Sequence, residues 1–185
     1  MMKKAETVLK IIVPIFLVLS AAAGIVLFLT PFGAKAVYEA TRGYGPYDMR
    51  LSYTPDAFMS ILSHIDGDRV ALYSRYFVID YCFCICTAVF MAGLPLLIYL
   101  KDDKHYLLFR ASVFSAIMYL IFNIIENILI MRIVRVTPLF TDGDANLSSG
   151  ITTLKWAFCG VWLLSIMLLM LITIYDSVKK SKTSS

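Results

Sequence analysis

The residues able to do chemistry are few, and they sit inside apolar sequence. Asn123-Ile124-Ile125-Glu126-Asn127 lies within a run of 21 residues, 111–131, bracketed by Arg110 and Arg132. A carboxylate between two carboxamides is costly in hydrocarbon. It is retained where it faces protein, water or a ligand. On a helix, Asn123 and Asn127 share one face, with Glu126 adjacent. Two other apolar segments each carry one charge of their own, Asp80 and Lys155. Together these residues offer two kinds of chemistry. In the first, Lys155 neutralises one carboxylate, the asparagines satisfy the rest, and the network fixes helix register. In the second, one carboxylate stays ionised beside Lys155 while the other carries a proton or meets a ligand. Arg75, Arg132 and Trp156 are expected to form the rim of such a site.

Other reactive residues suggest less. Cys82, Cys84, Cys86 and Cys159 all lie in apolar segments, whereas a disulfide scaffold places its cysteines in loops. On a helix Cys82 and Cys86 share a face and Cys84 points nearly opposite, so the three cannot grip one metal. They read as small buried hydrophobes. Cys84 and Cys159 fall one turn deeper than Asp80 and Lys155 and are candidates for a cavity floor. His64 and His105 are far apart and no span contains a histidine. No metal site or cofactor is expected. The acids around Asp142-Gly143-Asp144 lack the spacing of a calcium loop.

These side chains need elements to position them. The chain is 59% hydrophobic and 16% charged, far from the balance of a soluble domain. The excess falls in four segments, 11–30, 76–100, 111–131 and 151–175, each long enough to cross a bilayer as a helix. The expected fold is therefore all-α: a single membrane domain over 1–185, a four-transmembrane-helix bundle with an extracytoplasmic helical cap at 31–75. Pro14 is read as lying in the first turn of span one, and Ser20 with Gly24 as a patch for close helix packing. In the cap, Thr54-Pro55-Asp56 reads as a helix start, followed by an apolar stripe at Phe58, Ile61, Leu62 and Ile65. Asp66-Gly67-Asp68 ends that helix and caps the next. The polar link 101–106 makes spans two and three antiparallel neighbours, and Pro95 is expected to kink the end of span two. Thr137-Pro138 ends span three. Residues 142–146 read as a turn-rich loop, with Ser148 or Ser149 capping span four.

Nine Lys/Arg fall in the thirty residues of 1–10, 101–110 and 176–185, and the other eight are spread over the longer remainder. That density predicts both termini in the cytoplasm, which places the cap outside the cell or in the lumen; the plasma membrane is the expected location. There is no basic stripe interleaved with aromatics, so no nucleic-acid partner is expected.

The order Tyr53-Thr54-Pro55-Asp56-Ala57, then Tyr73-x-Arg75 with Asp80, then Asn123-x-x-Glu126-Asn127, then Leu154-Lys155-Trp156 resembles a group of small bacterial four-helix integral membrane proteins of unknown function. The resemblance spans about residues 46–160, with Asn123 standing where that pattern has an aspartate. It implies the fold and no activity. A similarity of design to sterol-isomerase-like membrane bundles rests on carboxylates and a tryptophan in a lipid-facing cavity; the histidine those enzymes use has no counterpart here. No nucleophile or cofactor motif accompanies the cluster. The first expectation is a non-catalytic protein that binds membrane lipid, a small hydrophobic ligand or a partner membrane protein through a polar pocket in the outer half of the bundle. The alternatives are a lipid-modifying enzyme with an Asp80/Glu126 acid–base pair, and a proton-coupled transporter. Oligomeric state is left open.

Overall fold

The computed structural model describes residues 2–100, 105–137 and 139–183. Its elements are α1 (Met2–Leu29), α2 (Ala34–Ala40), a 3-10 turn (Tyr47–Met49), α3 (Pro55–Ser63), α4 (Arg69–Tyr99), α5 (Tyr106–Val136) and α6 (Asp142–Thr183). No strand occurs among the described residues. Four stretches, Glu6–Ala40, Arg69–Tyr99, Tyr106–Val136 and Asp142–Asp176, are helical, long and apolar enough to cross a membrane. The link at 101–104 and Pro138 lie outside the described residues.

Helix neighbours follow from close pairs. Gly24 brings α1 against the Phe83 ring of α4, where an added Cβ would be 3.3 Å away. Ser20 Oγ and Thr87 Oγ1 hydrogen-bond at 2.6 Å, and Val13 fits over Gly93. The expected Ser20–Gly24 patch is thus the α1–α4 contact, in antiparallel register. α5 lies on the other side of α4, and α6 lies chiefly on α5. Trp162 joins α6 back to α4 by donating Nε1–H to the Met91 carbonyl at 2.8 Å. The outward faces of α1 and α6 expose Leu17, Val18, Ile25, Leu163, Leu164 and Leu171. At 31 residues each, α4 and α5 are about 46 Å long, well beyond a bilayer's hydrocarbon core of about 30 Å.

Three element boundaries differ from the sequence reading. α1 begins at Met2, so Pro14 lies inside the helix and not in its first turn. Its lost N–H is one bond in a long helix. α2 follows α1 after the Thr30–Gly33 turn and was unexpected, being only 7 residues long. α6 begins at Asp142, not 151. Thr141 and Asp144 form a reciprocal cap: Asp144 N–H donates to Thr141 Oγ1 at 3.2 Å, and Thr141 N–H donates to Asp144 Oδ2 at 3.0 Å. The acids read as a loop therefore start a helix. Ser148 and Ser149 sit within it and serve the segment 41–68 instead. Tyr53 O–H donates to Ser148 Oγ at 2.6 Å, and Tyr53 N–H donates to Ser149 Oγ at 2.9 Å.

α3 matches its reading. Thr54 Oγ1 accepts from Ala57 N–H at 3.2 Å, and Phe58, Ile61, Leu62 and Ile65 are buried. Gly67, at φ 112°, makes the turn, and Asp68 caps α4 through Ala71 N–H at 2.9 Å. The largest core gathers here, between residues 34–65 and the adjoining ends of α4 and α5. Tyr47 stacks on Phe58 with ring centroids 3.8 Å apart, and its hydroxyl donates to the Phe58 carbonyl at 2.7 Å.

Gly33 has no room for a side chain. A Cβ there would stand 2.1 Å from the Leu27 carbonyl oxygen. Gly33→Ala is expected to lower the thermal midpoint by the equivalent of about 1–3 kcal/mol. Gly160→Ala on open surface is expected to stay within about 1 kcal/mol of the parent. Equal midpoints for the two variants in a thermal melt would contradict this packing.

Candidate polar site at the capped end of the helices

Asp80, Asn123, Glu126, Asn127 and Lys155 come together, all buried to within 3% exposure. They divide into two groups. Lys155 Nζ meets Glu126 Oε2 at 2.5 Å, and Thr152 O–H donates to the other Glu126 oxygen. Asp80 Oδ2 accepts from Asn123 Nδ2 at 2.8 Å and from Asn127 Nδ2 at 2.6 Å. Its Oδ1 receives only the Cys84 thiol, at 3.5 Å. Helical periodicity explains the grouping: Asn123 and Asn127 are one turn apart and flank one carboxylate, and Glu126 faces α6. Asp80 and Glu126 are therefore held by different partners.

A third carboxylate, which the sequence reading did not single out, completes the site. Asp48, in the 3-10 turn, is buried and accepts Tyr76 O–H at 2.7 and 2.9 Å. Its main-chain carbonyl accepts Lys155 Nζ–H at 2.8 Å. Lys155 thus ties the α5–α6 pair to the segment that covers it. Tyr76 is four residues before Asp80 and Thr152 three before Lys155, so face-sharing on each helix could have found them. Nothing local marks Asp48, since its partners lie 28 and 107 residues away.

A cavity of about 100 Å³ adjoins these groups, lined by Asp48, Asp80, Asn123, Lys155, Tyr76 and Tyr119 with apolar walls from Leu27, Phe28, Met49, Phe83 and Trp156. Of the expected rim residues, Trp156 is present, its ring centroid 5.4 Å from Lys155 Nζ. Arg132 is not part of this cavity. It pairs with Asp144 at 3.5 Å and lines a separate groove between α4 and α5 that also reaches Asn127. Arg75 is exposed and does not line the cavity. Cys84 packs with Tyr119 beside Asp80, Cys159 borders that cluster, and Cys82 is exposed. Among the described residues no three His, Cys, Asp or Glu side chains are arranged to hold a metal ion.

Three buried carboxylates face one buried ammonium. Burial is the largest influence on Asp48 and raises its carboxyl to about 6; Lys155 pulls it down, Asp80 pushes it up, and the Tyr76 hydrogen bond pulls it down. The fold and site define an all-helical protein with four helices long and apolar enough to span a membrane and a buried acid-rich cluster at the end packed against residues 34–65. Comparison with known protein families, curated proteins and solved structures finds no match. What the site does is therefore read from its geometry.

Two outcomes follow. Lys155→Met leaves Glu126 buried and unpaired, and is expected to destabilise by about 3–5 kcal/mol. Adding Glu126→Gln should recover a large part of that, as a double-mutant cycle on unfolding would measure. Additive losses would mean the pair is not coupled. For Asp48, the folded chain keeps a proton between its ordinary value of 3.8 and about 6 that the unfolded chain has released. Its contribution to stability therefore falls as pH rises through that window. Asp48→Asn keeps the carbonyl that Lys155 uses. Its thermal midpoint relative to the parent is expected to rise from pH 4 to 7, with Lys155, Asp80, Tyr76 and Glu126 as the neighbouring groups present in both proteins. A constant difference across that range would remove Asp48 as the titrating group.

Proposed function

We propose that this chain is a multi-pass plasma-membrane protein that binds a lipid or lipid-like amphiphile through the cavity beside Lys155. Both termini lie in the cytoplasm and residues 31–68 form a cap outside. The orientation is supported by the dense Lys/Arg of the chain ends and of 101–110. The cap is supported by the core at 34–65, which sits at the opposite end of the helices from those segments.

One observation carries the binding reading. Asp48 and Asp80 line a cavity and are buried, and among the described residues the hydrogen bonds to their carboxylates come from neutral groups. Buried charges are normally paired, because desolvation costs several kcal/mol per ion. Two buried acids at a cavity wall, sharing one nearby ammonium that Glu126 already holds, suit an incoming cationic or polar head. The apolar half of that wall, Leu27, Phe28, Met49 and Phe83, suits the rest of an amphiphile.

The acid–base enzyme reading is weaker. Glu126 is 0% exposed, held by Lys155 and Thr152, and does not line the cavity. It has no access to a substrate there. The excess of acids over bases also suits proton carriage, which would appear as pH-dependent flux in proteoliposomes.

Native mass spectrometry of the detergent-purified protein tests the proposal. The expected result is one retained amphiphile per chain. Met49 is 46% exposed and lines the cavity, so Met49→Trp should block it and remove the bound mass while leaving the melting curve of the delipidated protein in place. A parent protein without adduct, or a variant that keeps it, would refute the proposal.

A further inference from the structure

The cavity beside Lys155 shares two walls with a larger one. Phe28 and Met49 line both. The second cavity, about 490 Å³, lies between the end of α1, α2 and residues 44–50. The two chambers differ in charge. The inner one has Asp48, Asp80 and Lys155. The outer one has Lys35 and Arg50, with no carboxylate among its lining residues.

Counting hydrogen bonds shows what each chamber still offers. In the inner chamber Asp80 Oδ1 has only a thiol, a weak donor, at 3.5 Å. The two Asp48 oxygens share one Tyr76 hydroxyl proton and the residue's own main-chain N–H. Both carboxylates line the cavity and have more acceptor sites than donors. Lys155 directs its N–H groups to Glu126 and to the Asp48 main chain, not to those lone pairs. In the outer chamber Arg50 Nη2 donates to the Tyr44 carbonyl at 2.9 Å, while its Nε is buried without a partner. Lys35 is half-exposed, 4.0 Å from Glu39. Phe28, Leu29 and Phe32, at the same end of α1, are exposed apolar side chains.

We infer that the paired chambers bind a phospholipid with a primary-amine head group, its ammonium between Asp48 and Asp80 and its phosphate against Arg50 and Lys35. This rests on the amphiphile-binding reading and names its ligand class. A primary ammonium brings three N–H donors and a positive charge, which match open carboxylate lone pairs in an acid-rich chamber. A trimethylammonium brings charge without donors. A glycerol head brings donors without charge. Arginine suits the phosphate because its fork can meet two oxygens. The exposed apolar end of α1 gives the acyl chains a surface to follow.

The test uses the full-length protein, purified in detergent and delipidated. Short-chain phosphatidylethanolamine, phosphatidylcholine and phosphatidylglycerol with matched acyl chains are titrated separately, read by tryptophan fluorescence, since Trp156 borders the inner chamber, and by thermal midpoint. The ethanolamine lipid is expected to bind saturably. The choline and glycerol heads should bind about ten-fold more weakly, the scale of one lost charge-assisted hydrogen bond. Asp80→Asn should erase that preference; where it fails to fold, Asp48→Asn makes the same test. Arg50→Gln should weaken all three lipids by a similar factor. Equal binding of all three heads by the parent would overturn amine recognition while leaving the amphiphile site. Soluble phosphoethanolamine binding as tightly as the lipid would overturn the lipid assignment. Failure of every lipid, together with no retained amphiphile in native mass spectrometry, would overturn the underlying proposal.

Discussion

The ammonium of Lys155 is the constraint on which the rest depends. It is 3% exposed and reaches two elements at once: Glu126 on α5 and the Asp48 carbonyl in the connection between α2 and α3. A buried ammonium without partners would cost several kcal/mol. Its two bonds therefore fix the register of α6 on α5 and seat residues 47–50 over both. Tyr76 then holds the Asp48 side chain, and Tyr53 binds Ser148 and Ser149, both about two turns before Lys155. The covering segment is stitched to the helices by hydrogen bonds from both directions.

Burial is distributed to match. The large aromatic core is at the capped end, around Tyr47, Phe58, Tyr73 and Tyr76. Farther along, α1 and α6 bury little and present leucine, isoleucine and valine outward. In water such faces would associate; in hydrocarbon they need no partner. The helices hold one another by close approach at Gly24 and Gly93 and by single polar contacts such as Ser20–Thr87 and Trp162–Met91. The polar cluster lies where these two regimes meet, next to residues 44–50, where buried charge can be answered by main-chain groups of a non-helical segment. Asp48 supplies such a group from its carbonyl and adds a carboxylate from its side chain.

Sequence periodicity served well where interactions are local. Thr54 and Asp68 start helices by contacts three residues away, Pro55 takes the first helical position, and the apolar stripe of α3 repeats at helical spacing. It served poorly at 142–149, where acids and serines resemble a loop. There the Thr141–Asp144 cap and distant contacts with Tyr53 favour helix, and a window of neighbouring residues contains only half of that balance.

By itself the sequence determined four apolar helices, their antiparallel order and the five buried polar residues on three of them, because the cost of a charge in an apolar run singles those residues out wherever the chain folds. Tertiary structure alone decided how they pair. It gave Glu126 to Lys155 and Asp80 to the two asparagines, moved Arg132 to another groove, and brought Asp48 in from the connecting segment. Those choices depend on helix rotation and on contacts 28 to 107 residues apart, which no local pattern of residue types encodes.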